Sequence, residues 1–179
     1  MVVTLITGGQ SSGKSAKALD IALANPQPRA FIATAQPFDE EMKEKIRRHV
    51  QERQDKFSTI EEPLYLPRAL EKTVLIEPHT IIIDCLTLWV SNLLLNNMAD
   101  HIDDELSKLG FEIDDMRRKP FLKHLVIVTN EVGCGIIPEN ALARKYTTLL
   151  GKVNKAVAKI SDEVILMVCG IPSFVKRIR

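Results

Sequence analysis

The chain has 179 residues, 45% of them hydrophobic and 26% charged, which fits one α/β domain with a sizeable core. A formal net charge of +1 excludes a broad basic surface, and with it nucleic acid or an anionic membrane as the main partner. No apolar run reaches the roughly 18 residues of a membrane span.

The opening stretch "MVVTLITGG" lacks the basic start of a signal peptide and reads as a strand over 2–7 running into a loop. That loop, "GGQSSGKS", consists of Gly8, Gly9, Gln10, Ser11, Ser12, Gly13, Lys14 and Ser15 and fits G-x-x-x-x-G-K-[ST]. Glycines let backbone N–H groups turn inward around phosphate oxygens, and the N-terminus of the next helix adds partial positive charge. Lys14 is expected to reach the β- and γ-phosphates and the Ser15 hydroxyl to ligate Mg2+. The bland alternative is a chance Gly/Ser-rich turn, against which the strand–loop–helix context speaks.

A helix is expected over 14–25, then a strand over 30–34 beside the phosphate loop. The next helix, 38–54, carries Phe38, Met42, Ile46 and Val50 every four residues as a buried stripe. His49 shares that face and is surrounded by Lys45, Arg47, Arg48 and Arg53. A lone histidine in such a place is most often structural. The polar, proline-containing "RQDKFSTIEEPLYLP" is expected to return the chain to the sheet.

A helix over 66–72 precedes a buried strand over 80–84 that ends on Asp84. This carboxylate is placed either to hold Mg2+ or its water beside the loop, or to cap the helix over 86–97. The aliphatic run 88–97 suits an interface between chains or burial within the domain. After a helix over 100–118, the strand "HLVIVT" (124–129) leads to Asn130 and Glu131. In open parallel sheets ligands gather at the carboxyl ends of strands, so both are candidates to line the site, with Glu131 equally a loop anchor. A helix over 139–160 and a strand over 163–168 follow, and "SFVKRIR" is a candidate edge strand. Runs apolar on both faces and separated by helices predict a mostly parallel sheet with helices on both faces, in a single domain across 1–179. Cys85, Cys134 and Cys169, odd in number and widely spaced, are expected as buried free thiols in a reducing cytoplasm.

Several segments together resemble one family. They are "LITGGQSSGKS", "FIATAQPFDEEMKEKIRRHVQER", "FSTIEEP", "IIIDCLTLWVSNLL", "VIVTNEVGCGIIPEN", "LARKY" and "GKVNKAVAKISDEVILMVCGIP". The family is the bifunctional adenosylcobinamide kinase / adenosylcobinamide-phosphate guanylyltransferase of cobalamin biosynthesis. The resemblance implies a P-loop NTPase fold of RecA-like type. It implies two reactions: phosphorylation of the corrinoid adenosylcobinamide with ATP or GTP, then transfer of GMP from GTP to that phosphate. In the "EMxxxIxxH" context the family's histidine takes the GMP, and the matching residue is His49. Further nucleotide contacts fall on Ala33, Thr34 and Ala35, on Val50, Gln51, Glu52 and Arg53, on Glu61 and on Asp84. Lys14, His49 and Asp84 are the implied catalytic set, and Ser15 and Asp84 the Mg2+ ligands. Phe57 stands where the family commonly has tryptophan. A homo-oligomer, commonly a trimer, is also implied. Two rival readings are a P-loop kinase of another small metabolite and a regulatory NTP-binding module that switches a partner.

Overall fold

In the computed structural model, residues 1–36, 40, 44 and 54–178 are described. The expected helix over 38–54 therefore falls almost wholly outside the described residues. The apolar runs become strands: β1 (Val2–Gly8), β2 (Arg29–Ala33), β4 (Thr80–Asp84), β5 (His124–Val128) and β6 (Glu163–Val168). Two more complete a seven-stranded sheet, β3 (Ser58–Glu61) and β7 (Ile171–Arg177), in the order β3-β2-β4-β5-β1-β6-β7. All pairings are parallel except β6 with β7. The C-terminal edge strand is thus present and begins earlier than "SFVKRIR".

Two features go beyond the local pattern. First, the stretch after residue 54 returns the chain to the sheet as expected, and does so as a strand of its own, β3, paired with β2. It reads as polar because it lies at the sheet edge, where most of its side chains meet solvent. Second, β2 does not neighbour the phosphate loop, because β4 and β5 lie between β2 and β1. Periodicity reports burial of a strand, not which strand it pairs with.

The helices are α1 (Lys14–Leu23), α2 (Leu66–Lys72), α3 (Leu86–Leu95), α4 (Ile102–Met116) and α5 (Ala141–Ile160). They cover both faces of the sheet. Alternate residues of one strand serve opposite layers, as the pleat requires. Ile32, Ile83 and Ile127 join Trp89 and Leu93 of α3 and Leu109 and Ile113 of α4 in the larger layer. Phe31, Ile82 and Val126 face the other way, onto Ala18 and Ala22 of α1. Phe57 belongs to this second layer, its ring edge-on to Phe31 at 6.0 Å between centroids. The aliphatic run 88–97 is mostly core: Trp89, Val90 and Leu93 are fully buried. Among the described residues no helix is long and apolar enough to cross a membrane. The cysteines are free, but Cys134 and Cys169 are exposed, which corrects their expected burial. Cys134 lies in the loop after β5, and Cys169 in the tight β6–β7 turn at a φ of 51°.

One charged contact closes the end of the sheet opposite the phosphate loop. Arg117, just past α4, donates from both terminal nitrogens to Asp162, at 2.9 and 3.2 Å, and the Val3 N–H donates at 2.8 Å. Burial favours the neutral acid, but the Arg117 and Val3 hydrogen bonds outweigh it and hold the Asp162 carboxyl below its ordinary value. The folded pKa lies below the unfolded one, so this stabilisation is present above the unfolded pKa and is lost as pH falls through the folded one. Asp162→Asn is expected to cost about 2 kcal/mol at neutral pH. Thermal denaturation followed from neutral to strongly acid pH should show the gap between wild type and variant narrowing towards the acid end.

Candidate active site

The parallel strands deliver their carboxyl ends to one rim. Strand pairing aligns Glu61, Ala33, Asp84, Val128 and Ile6 in a single row across β3, β2, β4, β5 and β1. The phosphate loop begins just beyond this row, at the end of β1. Glu61 and Asp84 therefore project from the same rim as the loop, although they lie 46 and 69 positions beyond Ser15 in the chain.

The loop is shaped by its glycines and by the β6–β7 turn behind it. Gly8 has a φ of 147°, and a Cβ there would stand 2.5 Å from the Met167 carbonyl oxygen. Gly13 has a φ of 95°, and its Cβ would stand 3.2 Å from the Gly170 Cα. The Gly170 N–H donates to the Ser12 carbonyl at 3.1 Å, and the Glu131 N–H donates to the Gly8 carbonyl at 3.1 Å. Both ends of the loop are thus fastened to neighbouring turns. Gly13 is the N-cap of α1 and supplies no side-chain acceptor to the helix. First-turn N–H groups without such a cap suit an anionic ligand.

Lys14 is only 8% exposed, and its Nζ donates to the Gly9 carbonyl at 2.5 Å and to the Ser12 hydroxyl at 3.5 Å. Burial lowers its pKa, opposed by Cys85 and Asp84. Ser15 is exposed in the first turn of α1.

Asp84 closes β4, and Cys85 rather than Asp84 is the N-cap of α3. Asp84 therefore does not act as the helix cap. Burial, then the neighbouring Asp84 charge, pushes the Cys85 thiol up to about 11, so it stays protonated at neutral pH. Thr34, fully buried at the exit of β2, exchanges two hydrogen bonds with Cys85: its hydroxyl accepts from the Cys85 N–H and donates to the Cys85 carbonyl, both at 2.8 Å. The Thr34 N–H donates to the Asp84 carbonyl at 3.1 Å. Ala33 and Ala35 flank it, both partly exposed.

On the other side, the Asn130 N–H donates to the Thr87 hydroxyl at 2.7 Å, and Asn154 of α5 donates to the Asn130 carbonyl at 3.0 Å. Glu131 uses its carboxylate to accept from the Gly133 N–H at 2.7 Å, so it does anchor its own loop. The loop beyond carries Ile136 and Ile137, both strongly exposed. At its far end Asn140 caps α5 by accepting from the Ala143 N–H at 3.0 Å.

The rim thus brings together Gly8 to Ser15, Ala33 to Ala35, Glu61, Asp84, Asn130 and Glu131. His49, Val50, Gln51, Glu52 and Arg53 lie outside the described residues. Sequence reasoning missed Cys85, Thr87, Asn92, Asn154 and Gly170 as supports of this rim. The available signal was a polar residue inside an apolar run, as with Asn92 in "LWVSNLLL".

A family model described as "Cobinamide kinase / cobinamide phosphate guanyltransferase" matches residues 4–175. The chain is 38% identical over 184 residues to the bifunctional adenosylcobalamin biosynthesis protein CobU of Salmonella typhimurium, covering 95% of this chain and 97% of that one. It is 34% identical over 168 residues to the bifunctional adenosylcobalamin biosynthesis protein CobP of Pseudomonas aeruginosa, covering 94% of each. Among solved structures, the RadB recombinase superposes with a TM-score of 0.55 at 14% identity, over 92% of this chain and 73% of that one. That likeness concerns the fold alone, a mostly parallel sheet with helices on both faces.

Proposed function

This chain belongs to the cobinamide kinase / cobinamide phosphate guanyltransferase family, and from that premise we propose a two-step reaction at the rim just described. The chain is a bifunctional enzyme of adenosylcobalamin biosynthesis. In the first step a hydroxyl of adenosylcobinamide takes the γ-phosphoryl group of ATP or GTP. In the second, GTP gives its GMP to the new phosphate, yielding adenosyl-GDP-cobinamide and pyrophosphate. The observation that carries this reading is the fastened phosphate loop, with Lys14 nearly buried inside it and its ammonium on the Gly9 carbonyl.

The kinase step needs positioning and charge stabilisation more than covalent chemistry. Loop N–H groups, the α1 N-terminus and Lys14 hold the β- and γ-phosphates. Ser15 and Asp84 would hold Mg2+ through their side-chain oxygens, a sparse oxygen set of the kind that suits this ion. When bound, Mg2+ would neutralise negative charge on the nucleotide's phosphates.

The guanylyl step joins two anions, so dividing it into two displacements is advantageous. A neutral imidazole nitrogen of His49 attacks the α-phosphorus. An N–P bond forms as the bond to pyrophosphate breaks, with Lys14 and the loop amides stabilising the departing charge. The cobinamide phosphate oxygen then attacks the same phosphorus and the N–P bond breaks, returning free histidine. Serine in this place would give a more stable ester and trap the group. An ordinary imidazole, with a pKa of about 6.5, is largely neutral near pH 7.

A homotrimer and a cytoplasmic location complete the proposal. The test uses GTP labelled at the α-phosphate. Wild type should acquire acid-labile, base-stable label, and His49→Ala should acquire none while still phosphorylating adenosylcobinamide. Label on His49→Ala would move the relay to another residue. A wild type that never takes label would leave only the kinase.

A further inference from the structure

The chain leaves β5 at the rim and enters α5 at the same end of the sheet, because α5 must carry it back before β6 can run parallel to β1. The connection between them, 129–140, therefore stays on the side of the phosphate loop. Its near end is tied to that loop by the Glu131 N–H on the Gly8 carbonyl, and the Glu131 carboxylate holds the Gly133 N–H. Its far end is held by Arg144, which donates to the Pro138 carbonyl at 3.0 Å and also to the Glu139 carbonyl, and by the Asn140 cap on Ala143.

Between these anchorages the sequence is "VGCGIIP", without a charged side chain. Ile136 is 98% exposed and Ile137 is 79% exposed, and Val132 and Leu142 add exposed apolar surface on either side of them. Single apolar residues scattered over a surface are ordinary, but two adjacent isoleucines held out in water by a loop fastened at both ends are not. They bury almost nothing in the folded chain, so stability does not account for them. Uncharged and without donors, their side chains cannot hold phosphate either.

We infer that Ile136 and Ile137 seat the macrocycle of the corrinoid substrate. This rests on the function proposed above. The hydroxyl that takes the phosphoryl group ends a short arm hanging from a macrocycle that the tight phosphate loop cannot admit. With the hydroxyl at the γ-phosphate, the macrocycle lies outside the loop, within the reach of its arm. The connection fastened to Gly8 offers an apolar surface beside that position. A corrin ring carries methyl groups on its faces, and burying them against branched aliphatic side chains is favourable. One seat serves both reactions, since both act on the same arm.

The test is equilibrium binding of adenosylcobinamide to the full chain, with steady-state kinetics of the kinase step, in Ile136→Ser, Ile137→Ser and the double variant. Leu75→Ser is the control, since Leu75 is 91% exposed and precedes β4 at the opposite end of the sheet. Each single variant should raise Kd and KM for adenosylcobinamide about 10-fold and the double variant about 100-fold, while KM for GTP stays within about 2-fold of wild type. Ile136→Leu keeps the apolar area and should stay within about 3-fold of wild type for adenosylcobinamide. Leu75→Ser should change neither constant. Serine variants that bind adenosylcobinamide as tightly as wild type would overturn the inference. Weaker binding that accompanies a smaller mass in sedimentation equilibrium would also overturn it, assigning the loop to contact between copies of this chain. A wild type that binds GTP but neither binds nor phosphorylates adenosylcobinamide would sink the proposed function, and this seat with it.

Discussion

Lys14→Met is expected to lower both phosphoryl and guanylyl transfer by about 100- to 1000-fold, the usual effect of removing one preorganised charge from a phosphate-transfer site. The reason is geometric. Lys14 is the first residue of α1, nearly buried, and its ammonium already lies inside the loop against the Gly9 carbonyl. Methionine keeps the bulk and the packing but brings no charge to the phosphates. Assaying the two reactions separately makes the result informative. Parallel losses mean that one loop serves both nucleotides. Guanylyl transfer that survives would require a second nucleotide position. Burial also lowers the Lys14 pKa, so the alkaline limb of kcat/KM for the nucleotide should fall below the ordinary lysine range, and it should vanish in the variant.

Gly8→Ala should be the most damaging single methyl group in the loop. The backbone there has a φ of 147°, where L side chains are strained, and the new Cβ would meet the Met167 carbonyl at 2.5 Å and the Ser12 hydroxyl at 2.8 Å. The hydroxyl can rotate away, but the carbonyl belongs to the β1–β6 pairing and cannot. Overpacking and backbone strain together predict a loss of about 3 kcal/mol, read from the urea midpoint, with nucleotide binding lost in parallel. Gly9→Ala is the control, because a Cβ there meets nothing within 4 Å. Its stability should stay within about 0.5 kcal/mol of wild type.

Much of the local structure was legible before any coordinates. The phosphate loop announces itself because backbone conformation at Gly8 and Gly13 requires glycine, so the constraint is written in residue type. Buried strands such as "TIIID" and "HLVIVT" show as continuous apolar runs because both their faces are covered. Even the family was readable, since its chemistry needs several short segments of unusual composition at once. Edge strands were harder. Ser58–Glu61 carries little apolar signal, because a strand at the rim of a sheet can face water. The exposed Cys134 and Cys169 misled for a related reason: an apolar neighbourhood in sequence is not burial in space.

The amino-acid sequence by itself determined the loop, the strand and helix types, and the residues able to handle phosphate, because each of these depends on side chains within a few positions of one another. Tertiary structure alone decided that β4 and β5 separate β2 from the phosphate loop, and that Met167 and Gly170 form its back wall. It alone decided that one amide of Asn92 joins Thr34 to Pro63. Those contacts, from Asn92 with Pro63 to Gly8 with Met167, link residues 29 to 159 positions apart, and strand order follows from how a whole sheet and its crossovers pack, which no local pattern encodes.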